Sequence, residues 1–341
     1  MSKLTSEAKA LKKRISSQLP EKVFRRYTPD LFYFGSFWGL SVAAGFIAVS
    51  SSNLWVHLVC GIIIGTSWGT LSHLTHNILH GTVVGSRRLQ NMLAFLGFLQ
   101  HLMPPTFYRY WHNYLHHGFT QRHIVDPDAY PSTFMYKSSK FFQKFYKMLP
   151  GSGTFLSYFY FFHSFTTHGL INMFYQRYRM KQYRKINHRR VNIEFILQAI
   201  ILLPVLFFLA KANFLLLVIL PYAICNYMIM SYIATNHALS PLTRDLDSLA
   251  NTVSVKSNPI SDFLCRYMGH HVCHHIYPNM NPRYYRLVHE ILMRDHKENY
   301  RYINKWTAIK LLYSTPRIYH DDQTLVNPDS NQTFKISELL H

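Results

Sequence analysis

Apolar residues in this chain gather in long runs instead of recurring at strand or amphipathic-helix spacing. Four runs extend from about Leu31 to Ser50, Leu54 to Ser72, Ile193 to Ala210 and Phe214 to Ala234. Each is near the ~20 residues that a helix needs to cross a bilayer. Only Ser51, Ser52 and Asn53 separate the first pair, and only Lys211, Ala212 and Asn213 the second. The pattern predicts an all-α integral membrane protein with four transmembrane helices in two tight hairpins. Pro204 and Pro221 fall inside the second pair and are expected to kink it, which membrane helices tolerate.

Two shorter apolar stretches lie between the hairpins. Leu89 to Met103 is too short to span and is closed by Pro104-Pro105. Thr154 to Tyr175 is dense in Phe and Tyr but broken by Ser, Thr and His. Its length would allow a fifth span, which would invert the second hairpin and carry the C-terminal histidines to the opposite face. Both stretches read as interfacial or re-entrant helices, because aromatic rings favour the headgroup level. The aromatics of Thr154–Tyr175 suit ordinary interfacial packing better than the wall of an acyl tunnel. The division is a basic segment over 1–30, a membrane domain over 31–320 and a loosely structured tail over 321–341.

Composition and charge sharpen this picture. Apolar residues make up 48% and charged residues only 15%, against roughly 25% charged in a soluble domain. The 36 Lys and Arg against 16 Asp and Glu give a formal net charge of +20. No zinc-finger, helix-turn-helix or RNA-binding signature accompanies it, so nucleic acid is not the expected partner. Two hairpins leave the N-terminus, residues 73–192 and residues 235–341 on one side, and of the 36 cations only Lys211 lies on the other. The positive-inside tendency makes the loaded side cytosolic. The run Arg177, Arg179, Lys181, Arg184, Lys185, Arg189 and Arg190, just before the third span, strengthens that orientation. The spacing of Lys9, Lys12, Lys13 and Arg14 against Leu4, Leu11 and Ile15 permits an amphipathic helix on anionic lipid, or a solvated basic tail. With no apolar core before Lys22, no cleaved signal peptide is expected. Cys60 and Cys225 sit in apolar runs and Cys265 and Cys273 on the cytosolic side, which is no disulfide set. Cys273 reads as a small residue between ligands more readily than as a ligand.

Histidines concentrate at the cytosolic ends of the spans. Gly269-His270-His271-Val272-Cys273-His274-His275-Ile276-Tyr277-Pro278 carries four imidazoles in six residues. On a helix His271, His274 and His275 share one face. His76 and His80, four apart on the helix continuing the second span, align with Cα atoms about 6 Å apart. His73 lies one turn earlier. His112 and His116 share a face, whereas His117 points about 140° from His112 on an ideal α-helix. It must reach a different metal, or the helix must distort there. With His237 after the fourth span, the candidate ligands are His76, His80, His112, His116, His117, His237, His271, His274 and His275. Neutral imidazoles suit iron, zinc or copper. Two metals with about four or five ligands each would use all of them and leave positions open for a small molecule. Asn77, Asn113, Asp126, Asp128, Asn236, His73 and His270 are candidates for steadying ligand rings by hydrogen bonds; for Asp126 and Asp128 a helix stop and cap is an equal reading.

The order HxxxH, HxxxHH, HxxHH after hairpins resembles the membrane fatty acid desaturases of the integral-membrane di-iron superfamily, from about Leu31 to Tyr285. Asp126-Pro127-Asp128, Asn236-His237 and His275-Ile276-Tyr277-Pro278 add to the likeness, and HxxxHH in the second box is similar to acyl-chain desaturases. The resemblance implies a cytosolic helical cap holding two iron ions on the nine histidines, with His237 the ligand outside the boxes and dioxygen as co-substrate. It implies removal of hydrogen from an unactivated methylene and then from its neighbour, giving a double bond in a fatty acyl chain. Return of hydroxyl to the first carbon would give an alcohol instead. One departure is Asn77, where many members carry Asp or Glu; an amide can hold a ring but cannot act as a base.

The chain has no haem-attachment motif, ferredoxin-type cysteine set or dinucleotide glycine fingerprint. Electrons are therefore expected from a separate carrier, a ferredoxin or a small b-type cytochrome, docking on the basic face; neutralising Arg184, Lys185, Arg189 and Arg190 should slow reduction. Rival readings are a lipid or carotenoid hydroxylase or ketolase, and a non-catalytic membrane metal-binding protein. The acyl group could arrive on a lipid, on coenzyme A or on an acyl carrier protein. Modest length without a fused cytochrome domain points to a bacterial inner membrane ahead of the endoplasmic reticulum.

Overall fold

A computed structural model describes residues 4–339. The architecture is helical, with two small two-stranded sheets. Helix α1 (Ser6–Ser16) precedes α2 (Asp30–Val49) and α3 (Leu54–Leu79). After α4 (Arg87–Gly97) comes a π-helix at Arg109–His116, then α5 (Tyr160–Ile171), α6 (His188–Phe214) and α7 (Leu220–His237). Short α8 (His271–Ile276), α9 (Tyr285–Asp295) and α10 (Lys305–Ser314) complete the helical cap. Strands β1 (Ser254–Lys256) and β2 (Tyr302–Asn304) pair in parallel across it.

Three segments are long and apolar enough to cross a membrane: Asp30–Val49, Leu54–Leu79 and the continuous helical stretch His188–His237. The predicted third and fourth spans thus form one nearly continuous stretch of helix, but it is not straight. Asn213 leaves helical geometry at φ −166° and ψ 102°, and its side chain accepts from Leu216 N. Gln198 donates to the carbonyls of Phe95 and Met103, and the Tyr222 hydroxyl donates to that of Gln100. In one straight helix Gln198 and Tyr222 would be about 36 Å apart. Reaching the same short segment requires the chain to double back at Asn213. Pro204 does not interrupt α6. Pro221 follows a π-helical turn at Leu215–Ile219, as expected where a ring without an N–H crowds the preceding turn.

Helix α3 is the axis, packed between α2 and α7. Gly61, Gly65 and Gly69 recur every fourth residue on the face toward α7. A Cβ at Gly61 would collide with the Leu216 carbonyl oxygen, and one at Gly65 would sit 2.9 Å from Pro221 Cα. Small residues at this spacing let two backbones approach closely. Asn53 caps α3 by accepting from Trp55 N and Val56 N. The π-helix and α8 lie at the far end of α3, where α7 also finishes, so the histidines of four segments meet there. A buried Arg266–Asp30 ion pair at 2.5 Å ties the α8 approach to the start of α2.

Three expectations change. Helix α1 forms, but its apolar face turns to protein instead of lipid: Ile15 is fully buried in a cluster with Val272, Ile276 and Tyr277, and the Tyr277 hydroxyl donates to the Lys12 carbonyl at 2.8 Å. Residues 322–339 of the tail are structured: β3 (Thr324–Val326) and β4 (Thr333–Lys335) pair antiparallel, and Leu325 and Ile336 are buried with Tyr319. Thr154–Tyr175 is not a single element: a 3-10 turn at Phe155–Phe159 leads into α5, which lies along α7.

Candidate metal centre

The histidine nitrogens converge in two groups. One ring nitrogen from each of His76, His80, His112 and His274 lies within 4.8 Å of the others, and the same holds for His116, His237, His271 and His275. In the first group His76 Nε2 and His274 Nε2 are 3.1 Å apart. His117 joins it: its Nε2 is 3.1 Å from both His112 Nε2 and His274 Nε2. In the second, His271 Nε2 is 2.7 Å from His237 Nε2 and 3.1 Å from His275 Nε2. The stacked rings of His117 and His275, 4.4 Å between centroids, link the groups.

The π-helix resolves the mismatch at His117. Its hydrogen bonds run from i to i+5, so residues five apart, not four, come into line. His112 and His117 thereby turn to one side, while His116 points to the second group. A single distorted segment thus feeds both groups of histidine nitrogens.

These spacings fit metal ions. With metal–nitrogen bonds of about 2.1 Å, neighbouring donors sit about 3.0 Å apart in octahedral and about 3.4 Å apart in tetrahedral geometry. The His80 Nε2 atom is buried without a hydrogen-bond partner, as a ligand atom aimed at a shared centre would be. Burial, reinforced by neighbouring imidazoles, drives His80, His112, His117, His271, His274 and His275 well below the ordinary 6.5. Their lone pairs are therefore open at neutral pH.

Groups behind the rings set their orientation. His116 Nδ1 is 3.1 Å from Asp126 Oδ1 and 3.2 Å from Asp128 Oδ2. Burial lowers the His116 pKa, but the Asp126 charge and hydrogen bond, with Asp128, more than offset it, so the net shift is upward. Asp126 also takes Gln121 N on Oδ2 at 2.8 Å, so its cap and ring-holding roles coexist. Trp111 Nε1 donates to Asp128 at 3.0 Å. Three ring partners were missed from the sequence: Tyr108, whose hydroxyl is 3.2 Å from His76 Nδ1; Tyr285, 2.9 Å from His274 Nδ1; and Thr120, 3.4 Å from His275 Nδ1. Tyr108 precedes His112 by one helical turn, a spacing that could have flagged it. Tyr285 left no such signal.

Other candidates lie apart from the nitrogen groups. His73 Nε2 is 3.3 Å from the Met228 carbonyl. His270 rests beside His289 and Tyr302. Asn113 donates to the Leu79 carbonyl, closing the end of α3, and Asn236 donates to the Met268 carbonyl. The Asn77 amide nitrogen is buried without a partner. Cys273 belongs to the buried cluster around α1 and to neither group.

A family profile described as fatty acid desaturase matches residues 52–307. The chain belongs to the fatty acid desaturase family. That span takes in every histidine of both groups. No curated protein matches the chain.

Two cavities adjoin the centre of this family member. A slot of about 30 Å³ touches His76, His112, His116, His237 and His271, roughly the room for a water or a diatomic molecule. Beside it, sharing Asp128, Ile233 and His237, an apolar cavity of about 420 Å³ runs past Tyr160 and Ile171 to Phe141 and Tyr175. The face of α5 read as ordinary packing thus lines a cavity that ends at the histidines.

Proposed function

We propose that this protein is an integral-membrane di-iron desaturase that introduces a double bond into a fatty acyl chain. One observation carries the reading: two adjoining histidine groups have metal-ligand spacing, and His237 of the second lines an apolar cavity of about 420 Å³. His76, His80, His112, His117 and His274 would hold one iron, and His116, His237, His271 and His275 the other. Two irons so held would supply the oxidising power to take hydrogen from an unactivated methylene with dioxygen. Each turnover then consumes one dioxygen, two electrons and two protons, removes two hydrogens from adjacent carbons and yields two waters.

The chain's own residues do the rest. Tyr108, Tyr285, Asp126 and Asp128 keep the rings from turning, because a ligand whose second nitrogen is hydrogen-bonded keeps its tautomer and plane. The cavity walls exclude water and lay the acyl chain alongside His237. The reversal at Asn213 and the placement of Lys and Arg support four crossings in two hairpins, with the centre on the cytosolic side. Electrons would come from a separate carrier on the basic face.

The test is lipid profiling of a host expressing the wild type beside His274→Ala, with oxygen uptake followed in membranes. New double bonds that vanish in the variant support the reading. A hydroxylated or keto product would move the protein to the hydroxylase branch. Bound metal with no substrate-dependent oxygen uptake would make it a non-catalytic binder.

A further inference from the structure

His237 stands outside the three histidine boxes and sits in the last turn of α7. Its Nδ1 atom is buried with no side chain behind it, whereas Asp126, Tyr108 and Tyr285 brace the rings of His116, His76 and His274. Where the His237 ring points therefore depends on where the end of α7 lies. A helix leaves its last carbonyls without partners, and here side chains from distant segments take the carbonyls at and just past that end. The Gln121 amide donates to the His237 carbonyl, Arg317 Nη1 to that of Ala238, Arg301 Nη1 to that of Leu239 at 3.4 Å and the Tyr319 hydroxyl to that of Ser240 at 2.5 Å. Gln121 holds a left-handed φ of 59°, uncommon for a residue with a side chain, and its own N–H donates to Asp126 behind His116. One strained residue thus joins the supports of two ligands of the second group. Arg317 is fully buried. Among the described residues its charge faces phenols, Tyr130 and Tyr319 foremost, and no carboxylate. The negative end of the α7 dipole stands in for one. Arg317 and Tyr319 lie beyond the residues that the family profile matches.

We propose that Arg317 and Tyr319, working with Gln121, are positioning residues for the second metal position: they hold the carbonyls at the end of α7 and so set how far His237 reaches. This deepens the proposed function and rests on its assignment of His237 to a metal. Metal–nitrogen distances tolerate about 0.2 Å, whereas a helix end without partners frays. Thr315 fixes the guanidinium in turn, its carbonyl accepting from Arg317 Nε at 3.3 Å and from Nη2 at 3.0 Å. The segment from Thr315 to Tyr319 is thereby part of the metal centre without supplying a ligand. The clamp acts on α7, and α7 carries a ligand of the second group and none of the first. Loosening it should therefore be felt at one metal and not at the other.

The test uses full-length, iron-loaded protein in nanodiscs, with metal content followed as a chelator is raised and Mössbauer spectra recorded alongside. Arg317→Met fills a similar volume without a donor, and Arg317→Lys keeps a charged donor on a similar stem. The chelator concentration that removes the second ion should fall about ten-fold in Arg317→Met, with the first ion held as in the wild type, and Arg317→Lys should restore part of the loss. Tyr319→Phe keeps the buried ring and loses only the hydroxyl; the same ion should leave at about a three-fold lower concentration. The Mössbauer signal of one iron should change in these variants and that of the other should not. Where Arg317→Met does not accumulate, Tyr319→Phe carries the test. Equal weakening of both ions, a lower melting temperature of the metal-free protein with both ions held as in the wild type, or no change in any variant overturns the proposal. Selective loss of one ion in a protein that makes no double bonds would sink the desaturase reading and leave the clamp standing.

Discussion

Replacing Asp126 by Asn separates the two histidine groups experimentally. The carboxylate is buried, and each oxygen is used: Oδ1 takes His116 Nδ1 at 3.1 Å and Asp128 N at 3.0 Å, and Oδ2 takes Gln121 N at 2.8 Å. An amide offers one acceptor oxygen, so either the ring or the Gln121 amide is left facing a donor. Losing one charge-assisted bond costs about 1.5–3 kcal/mol, and loss of a partner behind a ligand ring lowers metal affinity by about 10–100-fold. Only the group containing His116 should feel it, since Asp126 bonds the His116 ring and none of His76, His80, His112, His117 and His274. Metal content per chain, followed while a chelator is raised, should show one ion leaving early and the second at its wild-type concentration. A second readout is the proton count. Asp126 raises the His116 pKa, so metal loading near pH 6.5 should expel a proton from the wild type and less from the variant. Equal weakening of both ions, or none, would refute the reasoning.

Three further outcomes are expected. Gly97→Ala would push a Cβ into Thr75 Oγ1 and to 2.9 Å from Phe34 Cε2; it should cost about 1–3 kcal/mol, read as a lower melting temperature, with partial rescue by Thr75→Ala. Ile233→Trp fills the passage between slot and apolar cavity; turnover of long acyl chains should fall at least ten-fold with metal content intact. Burial brings His270 and His289 from 6.5 to about 4. Below 6.5 the unfolded chain therefore binds more protons at these two sites than the folded one, so their contribution to the stability of the metal-free protein should fall as pH drops from 6.5 toward 4; denaturant midpoints of the wild type beside a His270→Gln, His289→Gln variant across that range check it.

The histidine pairs were legible because helical spacing is a local property: His76 and His80 need only one regular turn to align. His117 was legible as a candidate ligand but its direction was not: an ideal α-helix turned it away, which left a different metal or a distorted helix open, and nothing local marks a π-helix. Helix α1 shows another limit. Its apolar stripe is as compatible with lipid as with the Val272–Tyr277 surface that it covers, and periodicity does not name the partner. The final hairpin escaped because three-residue strands are too short to show alternation. Tyr285 and Thr120 reach the centre through tertiary packing alone. Lys211-Ala212-Asn213 was expected to be a loop between two spans, whereas the backbone there makes only a local break at Asn213 within a nearly continuous helix.

On the proposed reading, rings from four separate segments hold two metal ions. Anomalous diffraction at the iron edge from crystals of iron-loaded protein tests it most directly. Two peaks are predicted, one among His76, His80, His112, His117 and His274 and one among His116, His237, His271 and His275. A single peak, or iron bound elsewhere in the chain, would contradict it.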